Sequence, residues 1–492
     1  MTVLPSALRA LVALVLAAAS GLAGAQLLAD CRVSGIRHGV QCGVVKRALD
    51  PARPSGATID VHYVVVPALA RRKWPDPVVL LAGGPGQSAI GVAAQTLALF
   101  SRLNNRRDIV FIDQRGTGRS APLDCAKSER ETLAEQADTE RQVERLRLCR
   151  AALRKLPYIA ADGDLAFFTT TIAMQDLEAV RLQLGVPQLN LVGVSYGTRA
   201  ALEYMRQFPG AVRRSVLDAV APPDMVLPAS FSADGQAALD ALLAACDKDG
   251  ACNQAYPALR ADWAALLKSL PRPVTTAHPL SGAPERYTLT RDMVLGAVRG
   301  ALYAPAVAAA LPAAITEAAA GRFDALAGLG SMLGSRRGLQ LSMGMHFSVI
   351  CAEDAPRLDQ ATDAPGADFG TDYATLYRRV CADWPRGAVP AAFYTVPPTR
   401  TPTLLFSGGL DPATPPRHGE RIAKALGAAA QHVVVPNAGH GALAIGCTSD
   451  VVYRFIEAAN DADATRVDAG CVKGIPRPGV FMPTRVPAEG AK

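Results

Sequence analysis

The sequence has few aromatic and charged side chains, and its excess of positive charge is small. Of 492 residues, 5% are aromatic and 19% are charged, and the formal net charge is +7 at pH 7. Basic residues occur in small groups such as Arg71–Lys73, without interleaved aromatic side chains that could stack on bases. We interpret these groups as solvated surface and predict no nucleic-acid partner.

Long apolar runs are also lacking beyond the N-terminus, so no membrane-spanning segment is predicted there. At the N-terminus, Arg9 supplies a positive charge, residues 10–19 form a short apolar run, and Ala23-Gly24-Ala25 fits a cleavage site. The alternative, an uncleaved membrane anchor, is disfavoured because the run is short. We therefore predict a cleaved signal peptide over residues 1–25, a periplasmic or extracellular location, and no stable membrane insertion after cleavage. The sequence does not establish the oligomeric state.

No C-x-x-C pattern occurs among the ten cysteines, and no histidine is placed beside them. Metal binding, the alternative use of these thiols, is therefore not predicted. All ten follow the predicted signal peptide, and an even count in an exported chain favours disulfides. Spacing does not establish connectivity; our hypothesis is pairing in sequence order, Cys31–Cys42, Cys125–Cys149, Cys246–Cys252, Cys351–Cys381 and Cys447–Cys471.

A nucleotide phosphate loop is absent as well. Glycines follow the apolar stretch Asp108–Asp113, but no Gly-Lys-Ser or Gly-Lys-Thr comes after them. No cofactor is predicted.

Apolar stretches typical of buried strands alternate with helical patterns along the chain. This alternation predicts an α/β protein with a mostly parallel, doubly wound sheet, which binds ligands beyond the carboxyl ends of its strands. The predicted strands are residues 59–66, 78–82, 108–113, 189–192, 212–217, 403–407 and 432–436.

Residues 225–395 differ from the rest of the chain because they are rich in alanine and leucine and have little strand pattern. Prolines break this block into helical segments. We predict a core formed by residues 26–224 and 396–492, interrupted by a helical insertion over 225–395.

The stretch from Leu189 to Ala200 predicts a strand, a tight turn and a helix, with Gly193-Val194-Ser195-Tyr196-Gly197 at the turn. In a G-x-S-x-G elbow the serine adopts a strained conformation that exposes its hydroxyl, and the glycines avoid clashes with the neighbouring backbone. Ser195 is the predicted nucleophile. The amide of Tyr196 is one predicted oxyanion donor, and Gly84 in the loop after residues 78–82 is the other.

A serine nucleophile needs a base, and the base needs a carboxylate that orients it. Asp411 and His440 each follow a predicted strand near the C-terminus. The order Ser195, Asp411, His440 is that of an α/β-hydrolase fold. Asp218, which ends the strand after the elbow, is the alternative acid.

Five motifs together resemble secreted α/β-hydrolases of the prolyl aminopeptidase and tripeptidyl aminopeptidase type. They are Ala82-Gly83-Gly84-Pro85-Gly86, Asp113-Gln114-Arg115-Gly116-Thr117-Gly118-Arg119-Ser120, Gly193-Val194-Ser195-Tyr196-Gly197, Gly408-Gly409-Leu410-Asp411 and Gly439-His440-Gly441. Cytosolic prolyl enzymes usually begin the first motif with histidine, where this chain has Ala82.

The resemblance implies a helical cap over the site and cap carboxylates that bind the free amino terminus of a peptide. The segment Val349–Asp354 corresponds to that region, so Glu353, or else Asp354, would pair with the substrate ammonium. The alternative is a pair of carboxylates on the cap surface beside a disulfide.

These observations predict a secreted serine exopeptidase that releases short units, a proline, dipeptide or tripeptide, from free peptide N-termini through an acyl-enzyme. A carboxylic ester hydrolase is the alternative, since the same groups would hydrolyse esters. A non-catalytic binding protein is the third possibility, and the complete set of catalytic side chains argues against it.

Overall fold

The computed structural model describes residues 28–126, 131–331 and 340–482, and the predicted signal peptide over residues 1–25 lies outside the described residues. The strands are β1 (Leu28–Cys31), β2 (Val40–Ala48), β3 (Thr58–Val66), β4 (Val78–Leu81), β5 (Ile109–Ile112), β6 (Leu189–Val194), β7 (Val212–Asp218), β8 (Arg272–Ala277), β9 (Pro284–Leu289), β10 (Thr403–Gly408) and β11 (Ala430–Val435).

The α-helices are α1 (Ala89–Thr96), α2 (Leu133–Ala137), α3 (Thr139–Leu153), α4 (Thr170–Leu184), α5 (Tyr196–Gln207), α6 (Leu227–Lys248), α7 (Gly250–Ala255), α8 (Leu259–Lys268), α9 (Arg291–Leu302), α10 (Pro305–Ala308), α11 (Leu311–Ala319), α12 (Asp324–Ser331), α13 (Met343–Glu353), α14 (Asp372–Cys381), α15 (Pro416–Leu426), α16 (Thr448–Glu457) and α17 (Asp461–Ala464).

A nine-stranded sheet in the order β1-β2-β3-β5-β4-β6-β7-β10-β11 organises the described residues. Neighbouring strands from β5 to β11 in this order run parallel, whereas β1, β2, β3 and β5 pair antiparallel. The mostly parallel sheet is confirmed, and all seven predicted strands are present with small shifts at their ends. Strands β1 and β2 were not predicted, because their short, half-exposed pattern carries little apolar signal.

Both faces of the sheet are covered, which is why its central strands are continuously apolar. Alternate residues point to opposite faces: Val79 and Leu81 of β4 pack in one core, and Val78 and Leu80 pack in the other. The carboxyl ends of β4, β6, β10 and β11 therefore meet at one edge of a rigid layer, which is where the candidate catalytic loops begin.

The predicted helical insertion packs in two parts. Residues 238–326 form most of a third core, around side chains such as Leu239 and Val298. In contrast, α13 and α14 bury Phe347 and Tyr377 in the same core as the central sheet. The expectation of little strand was incomplete, because β8 and β9 form an antiparallel pair with alternating exposed and buried residues.

Five disulfides join all ten cysteines in sequence order, as predicted. The Cys351–Cys381 bridge ties α13 to α14, and the Cys31–Cys42 bridge closes the β1–β2 hairpin. Each bridge closes a short loop, so local structure brings the partners together.

Replacement of Gly197 by alanine is expected to destabilise the fold strongly. A Cβ atom at this position would lie 2.0 Å from the Leu81 carbonyl oxygen, and neither backbone segment can move without disturbing the sheet. Overpacking of this kind costs about 3 kcal/mol. Urea denaturation should give a lower midpoint for Gly197→Ala than for wild type. Gly210→Ala is the matched control, since its Cβ would meet no atom within 4 Å; equal midpoints for the two variants would contradict the close packing.

Candidate active site

Ser195 lies between β6 and α5 in a conformation that side chains rarely adopt. Its φ is 56° and its ψ is −124°. An added Cβ on Gly193 would lie 2.5 Å from the Gly197 carbonyl oxygen, so strand and helix approach too closely for side chains. The predicted strained turn is therefore observed, and it places Ser195 immediately before the first residue of α5.

The loop after β4 lies against this turn. A Cβ on Gly83 would be 3.2 Å from the Ser195 Cβ, and the Gly83 amide donates to Gln87 Oε1 at 3.2 Å. Gly84 follows with a φ of 114°, which favours glycine. Gly84 and the Tyr196 amide thus belong to two loops that meet at Ser195, and their role as oxyanion donors stays a prediction.

Residues of the cap hold the Gly84 loop in place. The Ser342 amide donates to the Gly86 carbonyl at 2.8 Å. Burial lowers the pKa of His346 to about 4, so its imidazole is neutral near pH 7. Its Nδ1 therefore donates to the Pro85 carbonyl at 3.1 Å, while Nε2 accepts from the Tyr377 hydroxyl at 2.8 Å. Sequence reasoning missed His346, because its partners are far away in the chain.

Asp411 and His440 form the expected pair. His440 Nδ1 lies 2.9 Å from Asp411 Oδ2 and 3.1 Å from Oδ1. Burial disfavours the imidazolium, but the Asp411 carboxylate outweighs burial and raises the pKa of His440 above its ordinary value. Burial likewise opposes ionisation of Asp411, yet His440 and nearby N–H donors hold its pKa below the ordinary range. The pair therefore consists of a carboxylate and a base that it orients.

Thr414 orients the carboxylate in turn. Its hydroxyl donates to Asp411 Oδ2 at 2.7 Å, and its amide donates to Oδ1 at 2.9 Å. Sequence reasoning missed this residue, although a threonine three positions after an aspartate is a recognisable spacing for such bonds.

Asp218, the alternative acid, has a different set of partners. Its carboxylate accepts from the Ala442 amide at 2.9 Å and from the Leu443 amide at 3.1 Å, while its carbonyl accepts from the Ser195 amide at 2.9 Å. Burial raises the pKa of Asp218 to about 6 against the effect of these donors. Asp218 thus joins the nucleophile turn to the loop of His440, whereas Asp411 is hydrogen-bonded to His440 itself.

Glu353 and Asp354 lie at the end of α13 and are fully buried. Asp354 binds the Arg199 guanidinium through both oxygens, at 2.9 and 3.1 Å. Glu353 accepts from the Thr170 amide and hydroxyl at 2.8 and 3.0 Å, and burial raises its pKa to about 7. Both carboxylates have protein partners, so a substrate ammonium would have to share or displace them. Their role in binding an amino terminus stays a prediction.

The cap touches the catalytic loop directly. The His440 amide donates to the Tyr303 carbonyl at 2.9 Å, and the two rings lie 4.8 Å apart, edge to face.

Across residues 28–126, 131–331 and 340–482 there is no group of side chains suited to a metal ion. None of the helices described in those ranges is long and apolar enough to cross a membrane.

Two family models match the chain: residues 76–242 match one described as alpha/beta hydrolase fold, and residues 366–466 match one described as TAP-like protein. The chain has the α/β-hydrolase fold. Serine protease Hip1 of Mycobacterium tuberculosis (strain ATCC 25618 / H37Rv) is 28% identical to the hydrolase over 434 residues, covering 80% of this chain and 82% of that protein.

Two shorter matches point to the same group. Tripeptidyl aminopeptidase of Streptomyces lividans is 32% identical over 195 residues, which is 37% of this chain and 36% of that protein. A probable proline iminopeptidase of Streptomyces coelicolor is 32% identical over 145 residues, 30% of this chain and 33% of that protein. The resemblance of the hydrolase to the prolyl and tripeptidyl aminopeptidase type is confirmed.

Exchange of Asp411 for asparagine should separate its role from that of Asp218. An amide cannot stabilise the imidazolium, so kcat/KM of Asp411→Asn on a p-nitrophenyl ester should fall by about 10⁴-fold. The pKa of His440 should also fall, because the Asp411 carboxylate that raises it is gone. In the pH profile of the residual activity, the loss of rate at acid pH should therefore begin at a lower pH. Rates measured from pH 5 to 9 check both outcomes.

Asp218→Asn is the comparison variant. It keeps the Asp411–His440 pair but places an amide against two N–H donors, so we expect a lower thermal midpoint and a smaller loss of rate. A greater loss of rate for Asp218→Asn than for Asp411→Asn would reverse the assignment.

Proposed function

We propose that the hydrolase is a serine exopeptidase that releases short units, a proline, dipeptide or tripeptide, from free peptide N-termini. The observation that carries the proposal is the hydrogen bond between His440 and Asp411. Asp218 in turn joins the loop of His440 to the strained turn of Ser195. The names of the relatives, a serine protease and a tripeptidyl aminopeptidase, support peptide substrates.

In the proposed reaction, the Ser195 hydroxyl attacks the scissile carbonyl while His440 takes its proton. Asp411 occupies Nδ1 of His440, which leaves Nε2 for this transfer. The oxyanion of the tetrahedral intermediate would accept from the amides of Gly84 and Tyr196. The carbon–nitrogen bond then breaks, His440 returns the proton to the leaving amine, and water hydrolyses the acyl-enzyme by the same steps.

The alternative function is hydrolysis of carboxylic esters, because the catalytic groups serve both substrates. The cap contact on His440 favours a site in which the cap selects the substrate.

We also propose a periplasmic or extracellular location. Five disulfides fit an oxidising compartment, where such bridges persist.

Of the two buried cap carboxylates, we propose that Glu353 takes the substrate ammonium. Both oxygens of Asp354 are already paired with Arg199, whereas Glu353 is bonded to the neutral Thr170 and lies 3.6 Å from the guanidinium. A second cation would stabilise the ionised form of Glu353, which burial disfavours.

A panel of fluorogenic amides should test the function. Wild type is expected to cleave aminoacyl, dipeptidyl or tripeptidyl aminomethylcoumarin with a free N-terminus much faster than the acetylated counterparts. A fluorophosphonate probe should label wild type and not Ser195→Ala. Cleavage of esters alone would favour the ester hydrolase, and a folded wild-type protein that is not labelled would favour a binding protein.

Glu353→Gln should reduce the preference for free over acetylated N-termini by about tenfold, because a neutral amide attracts an ammonium less strongly. The ratio of kcat/KM for the two substrates measures this preference and is independent of the amount of folded enzyme. An unchanged ratio with a lower thermal midpoint would mean that Glu353 only supports the fold through Thr170.

A further inference from the structure

A cavity of about 210 Å³ lies between the cap helices α6, α9 and α14 on one side and α2 and α3, which precede the cap in the chain, on the other. Aromatic and aliphatic side chains, among them Phe231, Tyr373 and Leu376, form much of its wall. Arg299 of α9 is the basic side chain in this wall. No function described above uses this cavity.

The Arg299 guanidinium packs among aromatic rings. Its Cζ lies 4.1 Å from the centre of the Phe231 ring and 5.7 Å from that of Tyr373. Its Nη2 donates to the Tyr303 hydroxyl at 2.9 Å, and its Nε is buried without a hydrogen-bond partner among the described residues. A buried donor without an acceptor is unfavourable, so the protein leaves part of the hydrogen-bonding capacity of this guanidinium unused.

Two other arginines, Arg199 and Arg214, also have a buried Nε without a described partner. Their remaining nitrogens bind carboxylate or carbonyl oxygens of the protein. Arg299 differs because it lines a cavity and because its one described hydrogen-bond acceptor is a hydroxyl. Asp292 and Asp372 line the same cavity, but within the described part of the chain neither forms an ion pair with Arg299.

Arg299 is also close to the catalytic base. Its Cζ is 5.3 Å from the centre of the Tyr303 ring, and that ring is 4.8 Å from the ring of His440. An extended peptide advances about 3.3–3.6 Å per residue. A group two or three residues from the scissile bond therefore falls within reach of Arg299.

We propose that Arg299 determines substrate length by donating from its guanidinium to a carbonyl oxygen of the acyl segment, two or three residues N-terminal to the scissile bond. This inference rests on the proposed exopeptidase function. The acyl segment is favoured over the leaving peptide because its length is limited, whereas a leaving polypeptide must continue into solvent. The rings of Phe231 and Tyr373 hold the guanidinium in position for this bond.

Arg299→Met tests the assignment, since methionine keeps an apolar stem among the rings and removes every donor. We expect kcat/KM for a tripeptidyl aminomethylcoumarin to fall about tenfold, mainly through KM, because one hydrogen bond to a charged donor is lost. The aminoacyl compound and p-nitrophenyl acetate, which cannot reach Arg299, should change by less than about twofold. Peptidyl p-nitrophenyl esters with the same acyl lengths are assayed in parallel.

Tyr303→Phe is the matched control. It removes the hydroxyl that Arg299 binds but keeps the ring beside His440, so it should leave the dependence on acyl length intact. An equal loss for short and long substrates in Arg299→Met, reproduced by Tyr303→Phe, would mean that Arg299 acts only by positioning His440 and would overturn the proposal. An unchanged dependence on length, or an effect seen only when the leaving peptide is lengthened, would also overturn it.

The ester series separates this result from a failure of the proposed function. If wild type hydrolyses the esters and none of the amides, exopeptidase activity is excluded. The role of Arg299 in acyl length is then still decided by whether Arg299→Met changes the ester rates with length.

Discussion

The catalytic arrangement depends on the buried Asp218, which binds two loops that are far apart in the chain. Its carbonyl accepts from the Ser195 amide, and its carboxylate accepts from the amides of Ala442 and Leu443. The side chain is excluded from water, so these bonds act in a medium of low dielectric constant, where they are strong when complete and costly when broken. Ser195 and the loop of His440 are therefore held on one rigid edge of the sheet rather than on two independent loops.

The cap contributes to the site as well as covering it. Segment 342–346 supports the loop of Gly84, and Tyr303 supports the loop of His440. Because α13 and α14 share a core with the central sheet, the support for the Gly84 loop belongs to the rigid part of the molecule. The remainder of the cap has its own core and holds Arg299 above the base. This division is compatible with a constant catalytic centre and a selective cap.

Much of the fold could be predicted because its information is local. Continuous apolar runs identified the central strands, the glycines at 193 and 197 identified the turn, and cysteines close in sequence paired with each other. The β8–β9 pair was missed because short amphipathic strands within a helical block give little signal. His346 was missed for another reason: its partner Pro85 is far away in the chain, so only the folded structure brings the two together. Thr414 was missed although its spacing of three residues from Asp411 is recognisable in the sequence.

From the sequence alone came the strained serine turn, the order of the three proposed catalytic residues and the parallel sheet, because glycine spacing and apolar periodicity act over a few residues. The partner of His440 was a choice between Asp218 and Asp411 that such patterns could not make. Both aspartates lie at the carboxyl ends of neighbouring strands. Small differences in the distance from each carboxylate to the loop of His440 decide which of them bonds the imidazole. The packing of β7, β10 and β11 sets those distances. It assigns the imidazole to Asp411 and the backbone amides to Asp218.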